Sequence, residues 1–170
     1  IQTMMETSLK RLKTDHVDCV LLHDVRERSI AQSQEYIDAF GAIRDKGQAR
    51  FVGLSMHTNS TEVLDAMTEG GFWQMALVGY NYTSPPELTE TIARARKAGI
   101  GIIGMKNLLT SEWPPAPLDA IPAAERGEMT SAQAMIKWVL EDGNVDVTIP
   151  GMTAFEHLED DLAIMRMKLS

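Results

Sequence analysis

The stretch VDCVLLHD, Val17 to Asp24, decides how the rest of the sequence is read. Cys19, Val20, Leu21 and Leu22 run apolar without polar alternation, the pattern of a strand buried on both faces in a parallel sheet under helices. The run stops abruptly on His23 and Asp24. At the C-terminal end of a barrel strand, such a pair lies on the face where chemistry is done in that architecture.

Working outward, the flanks alternate between helix and strand patterns. Upstream, Met4, Met5, Ser8, Leu9 and Leu12 recur at helical spacing, and Lys10, Arg11 and Lys13 gather where positive charge complements a helix C-terminus. Downstream, Ile30, Tyr36, Ile37, Phe40 and Ile43 predict a helix stopped by Gly47. RFVGLS, Arg50 to Ser55, reads as the second strand. Asn59 or Ser60 caps a helix bearing Val63, Leu64 and Met67, ended by Gly70 and Gly71 before MALVGY, Met75 to Tyr80. Pro85 and Pro86 open the next helix, with Leu88, Ile92 and Ala95 inward and Gly99 as terminator. IGIIGM, Ile100 to Met105, follows.

The stretch from Lys106 to Glu128 carries Pro114, Pro115, Pro117 and Pro122 and reads as a loop long enough to act as a lid. Thr130 then caps a helix with Ala134, Met135, Trp138 and Val139 on one face, ended by Gly143. VDVTIP, Val145 to Pro150, and a last helix with Phe155, Leu158, Leu162 and Met165 complete the pattern.

Five strand and helix units imply a parallel sheet with right-handed crossovers. Two architectures fit: an open doubly wound sheet, and part of an eight-stranded barrel. Every strand is followed by a small polar cluster: His23-Asp24, Ser55 to His57, Tyr80 to Tyr82, Lys106-Asn107, and Gly151 to Thr153. The opposite joints are short and glycine-based, so one end reads as functional and the other as structural. No GxGxxG follows any strand, which disfavours a dinucleotide-binding doubly wound sheet.

Composition narrows the partners. The 170 residues carry a formal charge of -8, which repels phosphate backbones, and no local basic patch argues for nucleic acid. No run approaches about 18 apolar residues, so no membrane span is expected. Cys19 is the only cysteine, which excludes an internal disulfide framework or a cysteine-rich metal site and suits a reducing cytoplasm. The first residue is Ile1, so an upstream segment, including a targeting peptide, is compatible with the sequence.

In order and spacing, VDCVLLHD after SLKRLKTDH, then FVGLS, VGYNY, IIGMKNL, and VTIPGM before EHLEDDL resemble the fourth to eighth strands of an aldo-keto reductase. The MKNL and YNY forms are similar to the bacterial branch that often carries an appended iron–sulfur domain. The resemblance implies an α/β fold, a (β/α)8 TIM barrel of which this chain holds one five-unit segment. It also implies hydride transfer from NADH or NADPH to a small aldehyde or ketone.

Residue by residue, the resemblance implies that His23 hydrogen-bonds the substrate carbonyl. The family's tyrosine acid, with its tuning lysine and aspartate, lies on earlier strands, and Tyr80 and Tyr82 do not stand in for it. Ser55 matches the serine that takes the nicotinamide carboxamide, although Met56 replaces the asparagine after it and Leu77 stands where many members have glutamine. Met105 aligns with the aromatic that stacks on the ring, and Lys106 with a position able to face a phosphate. Gly151 and Met152 replace the lysine and serine that grip a 2'-phosphate, His157 replaces an arginine, and Asp160 and Asp161 fall on the pair that holds adenine. The lost positive charges make NADH plausible.

Taken alone, His23 and His57 suit structural or loop roles, the three strand-end methionines suit core filling, and Glu156, Glu159, Asp160 and Asp161 suit a solvated helix face. Two other function classes compete. One is a non-catalytic binding or regulatory barrel. The other is a metal-dependent hydrolase with His23, Asp24 and His57 as ligands. Five strands alone leave two open edges, prone to association, so the sequence reads as a fragment of a longer protein or a piece completed by another chain.

Overall fold

The apolar runs and their terminators fold into α1 (Gln2–Leu12), β1 (Val17–Leu22), α2 (Arg28–Ala31), α3 (Gln34–Asp45), β2 (Ala49–Met56), α4 (Ser60–Gly70), β3 (Met75–Gly79) and α5 (Pro86–Lys97). They continue through β4 (Gly101–Met105), α6 (Ser131–Glu141), β5 (Val147–Thr148) and α7 (Phe155–Ala163), with a 3-10 turn at Ile164–Arg166. This computed structural model describes residues 1–108 and 127–167. The four prolines of the expected lid lie outside the described residues.

The strands form one parallel sheet in the order β1-β2-β3-β4-β5. A doubly wound sheet reverses its strand order and carries helices on both faces. Here the order never reverses, and one set of alternate residues packs against the helices. Val52, Leu54, Met56, Ala76, Val78 and Ile102 share a single buried cluster with Val63, Leu64, Ile92 and Val139 of α4, α5 and α6. Burying each valine, leucine, isoleucine or methionine among them stabilises by roughly 1.5 to 3 kcal/mol before ordering costs. The architecture is therefore a five-unit segment of a (β/α)8 barrel.

The other strand face, the barrel interior, carries Phe51, Gly53 and Ser55 of β2, then Met75, Leu77 and Gly79 of β3, by strand alternation. The pairing Gly53↔Met75 and Ser55↔Leu77 sets these in cross-strand layers, and Leu77↔Ile103 extends one layer into β4. Gly53 is required by close approach. A Cβ there would lie 2.1 Å from the Met75 carbonyl oxygen and 2.9 Å from Leu21 Cδ2.

Local signals explain most boundaries. Gly47, Gly71 and Gly99 take φ of 70°, 66° and 91°, the left-handed conformation that ends a helix. Pro86 occupies the first turn of α5. Thr130 and Gln133 form a complete capping box at α6.

Several expectations are corrected. β1 is not buried on both faces: Asp18 and Cys19 are exposed, because β1 pairs only with β2 among the described residues. Gly143 is not a fourth left-handed joint, since α6 ends at Asp142, whose Oδ1 accepts from the Asn144 backbone N–H. Asn59 holds the N-cap position of α4 at φ 52°, but its side chain donates to the Arg26 carbonyl instead of capping. Only Val147 and Thr148 of the six-residue run Val145 to Pro150 form strand. α7 does not bury its apolar stripe: Phe155 is 83% exposed and Met165 77%, with Leu158 and Leu162 also exposed. Met4 and Leu12 of α1 are exposed likewise.

Both sheet edges thus carry apolar surface. Beside β1 a groove of about 670 Å³ runs between Met4, Leu9, Leu12, Leu21 and Phe40.

Replacing Gly53 by alanine forces a methyl group into the β3 backbone, which cannot rotate aside. We expect Gly53→Ala to lower unfolding free energy by about 3 kcal/mol, the upper part of the overpacking range. Urea titration followed by circular dichroism checks it; an unchanged midpoint contradicts the packing described.

Candidate functional site at the C-terminal rim

Because all strands are parallel, every strand-following cluster falls at one end of the sheet. The pair Leu22↔Leu54 sets the next residues, His23 and Ser55, side by side. The Val25 N–H to Ser55 carbonyl bond, 2.8 Å, ties the two loops together. Alternation sends Ser55 to the interior, Met56 into the helix-side core and His57 back to the rim. Met56 is fully buried in that core and does not line the site.

The His23 and His57 rings meet edge to face, 5.1 Å between centroids at 83°. Sequence reading favoured a plain loop role for His57. The signal that would have found it is the alternation itself, two residues beyond an inward serine. Burial first, then the positive fields of Lys106 and His23, push the His57 imidazole below its ordinary range, against the pull of Asp24. Asp24, at φ 57°, is held by Arg26 through three hydrogen bonds, Nη2 to Oδ2 at 2.6 Å. That contact keeps its carboxyl below the usual carboxylate range.

Ser55 is 1% exposed, and its hydroxyl oxygen has no hydrogen-bond partner. A buried polar group left unpaired costs about 1 to 3 kcal/mol, so its persistence marks a position that a ligand can complete. Opposite, Met105 lies buried next to Gly79 by register, and Lys106 takes φ 54°. A left-handed lysine costs about 1 to 2 kcal/mol relative to the usual backbone. Asn81 Nδ2 donates to the Lys106 carbonyl and Asn107 Nδ2 to that of Tyr80, locking these two loops. Asn107 Oδ1 is buried and unpaired.

Tyr80 belongs to the helix-side core. Its hydroxyl donates to Asp142 Oδ2 at 2.8 Å and meets Thr89 Oγ1 at 2.9 Å, and burial pushes its pKa up to about 12. Tyr82 packs edge-on against Trp138. Both tyrosines are thereby employed in packing.

Past β5, Gly151, Met152 and His157 are exposed. Thr153 N–H donates to His157 Nδ1 at 3.3 Å, which leaves Nε2 as the outward donor. Asp160 is committed elsewhere, accepting from Thr130 Oγ1 and Gln133 Nε2, both at 2.7 Å. Asp161 keeps one oxygen buried without a partner, and burial followed by Asp160 raises its carboxyl above the ordinary range. Among the described residues, no three His, Cys, Asp or Glu side chains are grouped to hold a metal. His23, Asp24 and His57 therefore do not form a ligand set.

One barrel segment with its histidines, lysine and unpaired serine at the strand C-termini defines a β/α-barrel protein whose candidate site lies in the strand-following loops. Residues 1–111 match the description of the Aldo/keto reductase family. The chain belongs to the aldo/keto reductase family. It is 25% identical to the methylglyoxal reductase DkgB of Escherichia coli O157:H7, over 97% of this chain and 60% of that protein. It is 22% identical to a probable aldo-keto reductase 1 of Glycine max, over 100% of this chain and 56% of that one. Among solved structures, a thermostable aldo-keto reductase in complex with the inhibitor epalrestat shares 28% identity at a TM-score of 0.74, over 98% of this chain and 60% of that one. An aldo/keto reductase from Klebsiella pneumoniae in complex with NADP and acetate aligns at a TM-score of 0.75, 23% identical, over 99% of this chain and 60% of that chain. The chain thus spans well under two thirds of the length of these relatives.

We expect the His57 imidazole to titrate below the ordinary value of about 6.5. A folded pKa below the unfolded one means that stability contributed by neutral His57 is complete above about 6.5 and is lost as pH falls through the folded value. Removing the lysine charge by Lys106→Met should raise the midpoint. Imidazole NMR titration checks both; a midpoint at or above the ordinary value contradicts the burial described.

Proposed function

We propose that at full length this protein is an NAD(P)H-dependent oxidoreductase that reduces aldehydes or ketones to alcohols. The observation that carries it is the unpaired, buried Ser55 hydroxyl beside His23 on the interior face of the rim. A hydroxyl with both donor and acceptor capacity suits a carboxamide, so the residues fit a nicotinamide. Met105, by the same fit, offers a polarisable contact for the ring.

When bound, a nicotinamide held by Ser55 and Met105 would supply the hydride. His23 holds the carbonyl oxygen by a hydrogen bond, and the wall of Leu77, Ile103 and Met105 keeps water from the reacting carbon. A hydrogen-bond donor aimed at developing negative charge contributes on the order of 100-fold in rate. Proton delivery falls to a tyrosine acid outside these residues, since Tyr80 and Tyr82 are occupied in packing. A non-catalytic binding or regulatory barrel is the alternative reading, and the residues of the earlier strands discriminate between the two. Action in the cytoplasm is part of the proposal; among the described residues no helix is long and apolar enough to cross a membrane.

At full length, reduced cofactor should be oxidised on addition of an aldehyde, and His23→Ala should lower kcat/KM on the order of 100-fold. The 170 residues expressed alone should show no turnover. Activity of the isolated chain that Tyr80→Phe or Tyr82→Phe abolishes would show that the acid is misplaced.

Cofactor choice follows from charge. A 2'-phosphate is usually met by arginine or lysine in fixed geometry. Here Gly151 and Met152 bring no charge, and His157 has one nitrogen already engaged by Thr153. Asp160 and Asp161 oppose an anion. We therefore propose that NADH binds at least as tightly as NADPH. Titrating both cofactors into the full-length protein tests this: a preference for NADPH of about ten-fold that survives His157→Ala would place the phosphate grip elsewhere.

A further inference from the structure

The chain is strongly acidic, yet its rim is not. Among the described residues of the five strand-following loops, the acids are Asp24 and Glu27 after β1 and the exposed Glu128 just before α6. Asp24 is satisfied by Arg26, and Glu27 accepts from Ser29 Oγ at 3.1 Å. Arg26 is thereby spent. Lys106 makes no ion pair among the described residues.

The position of that lysine is set by backbone and stem. Its left-handed φ of 54° turns the side chain at the end of β4, and its Cδ lies 3.7 Å from where a Cβ of Gly79 would stand. Gly79 is an interior-face residue of β3, so the stem crosses the mouth of the barrel. The lysine field reaches His57, where it is the second cause of the lowered proton affinity after burial. His57 in turn touches His23. Three nitrogen-bearing side chains from three strand ends thus face this part of the rim, where among the described residues the carboxylate acting on His57 is Asp24, already paired with Arg26.

We propose that Lys106 and His57 form, next to His23, a subsite for an anionic group carried by the carbonyl substrate, so that the preferred substrates are oxo-carboxylates. This rests on the carbonyl-reduction reading above. A carboxylate at this place neutralises Lys106 and removes the repulsion that adds to burial in lowering the proton affinity of His57. Binding therefore carries proton uptake at His57, in a field set by Lys106, His23, Arg26 and Asp24. Anion affinity rises as pH falls through the His57 midpoint of the bound state. A cofactor phosphate offers the same anionic oxygens, and the experiment separates the two sources.

In the full-length protein saturated with reduced cofactor, kcat/KM is measured for succinic semialdehyde and for butanal, four-carbon aldehydes with and without a carboxylate. The expected ratio favours the semialdehyde by about ten-fold or more, and Lys106→Met collapses it toward unity. Independently, succinate added to the same protein should raise the His57 titration midpoint by NMR in the unmodified protein and not in Lys106→Met. If neither aldehyde is reduced but succinate moves His57, carbonyl reduction fails and the anion subsite stands. A ratio near unity, a ratio unchanged by Lys106→Met, a loss confined to cofactor affinity, or a His57 midpoint indifferent to succinate overturns the subsite.

Discussion

The close approach of β2 to β3 at Gly53 is the constraint on which the rest depends. With Met75's carbonyl oxygen 2.1 Å from any Cβ at that point, only glycine lets the two backbones pair in this register. The register then carries Ser55 to Leu77 and, through β1, sets His23 beside Ser55. Shifting β2 by one residue would exchange its faces, sending Ser55 into the helix layer and Met56 to the barrel mouth. A glycine two residues before Ser55 thus fixes the candidate site without touching it.

The sheet from β1 to β4 was legible because its determinants are local. Apolar runs, the glycines at 47, 71 and 99, Pro86 and the Thr130 box each act within a few residues of the boundary they set. Burial was less legible, since it depends on neighbours that a pattern does not show. The stripe Phe155, Leu158, Leu162 and Met165 has the spacing of an inward face, yet among the described residues it stays exposed. Cys19 reads as core and lies on an exposed edge strand for the same reason.

The candidate site was legible in composition and only partly in geometry. A histidine after an apolar strand draws attention at once. That His57 would meet it, or that Lys106 would make no ion pair among the described residues while Arg26 was consumed by Asp24, depends on loops joining across strands. Asp160 shows the converse. Its place in the resemblance suggested a ligand, whereas its carboxylate is already bonded to Thr130 and Gln133.

That last contact ties two events that are usually separate. Thr130 and Gln133 nucleate α6, and through Asp160 they also anchor the helix that follows β5. In evolutionary terms the three positions are not independent letters. A lineage that trades Asp160 for a residue shaped to a different ligand also loosens the start of α6, so drift at the rim is held back by the fold, and the three side chains can change readily only as a set.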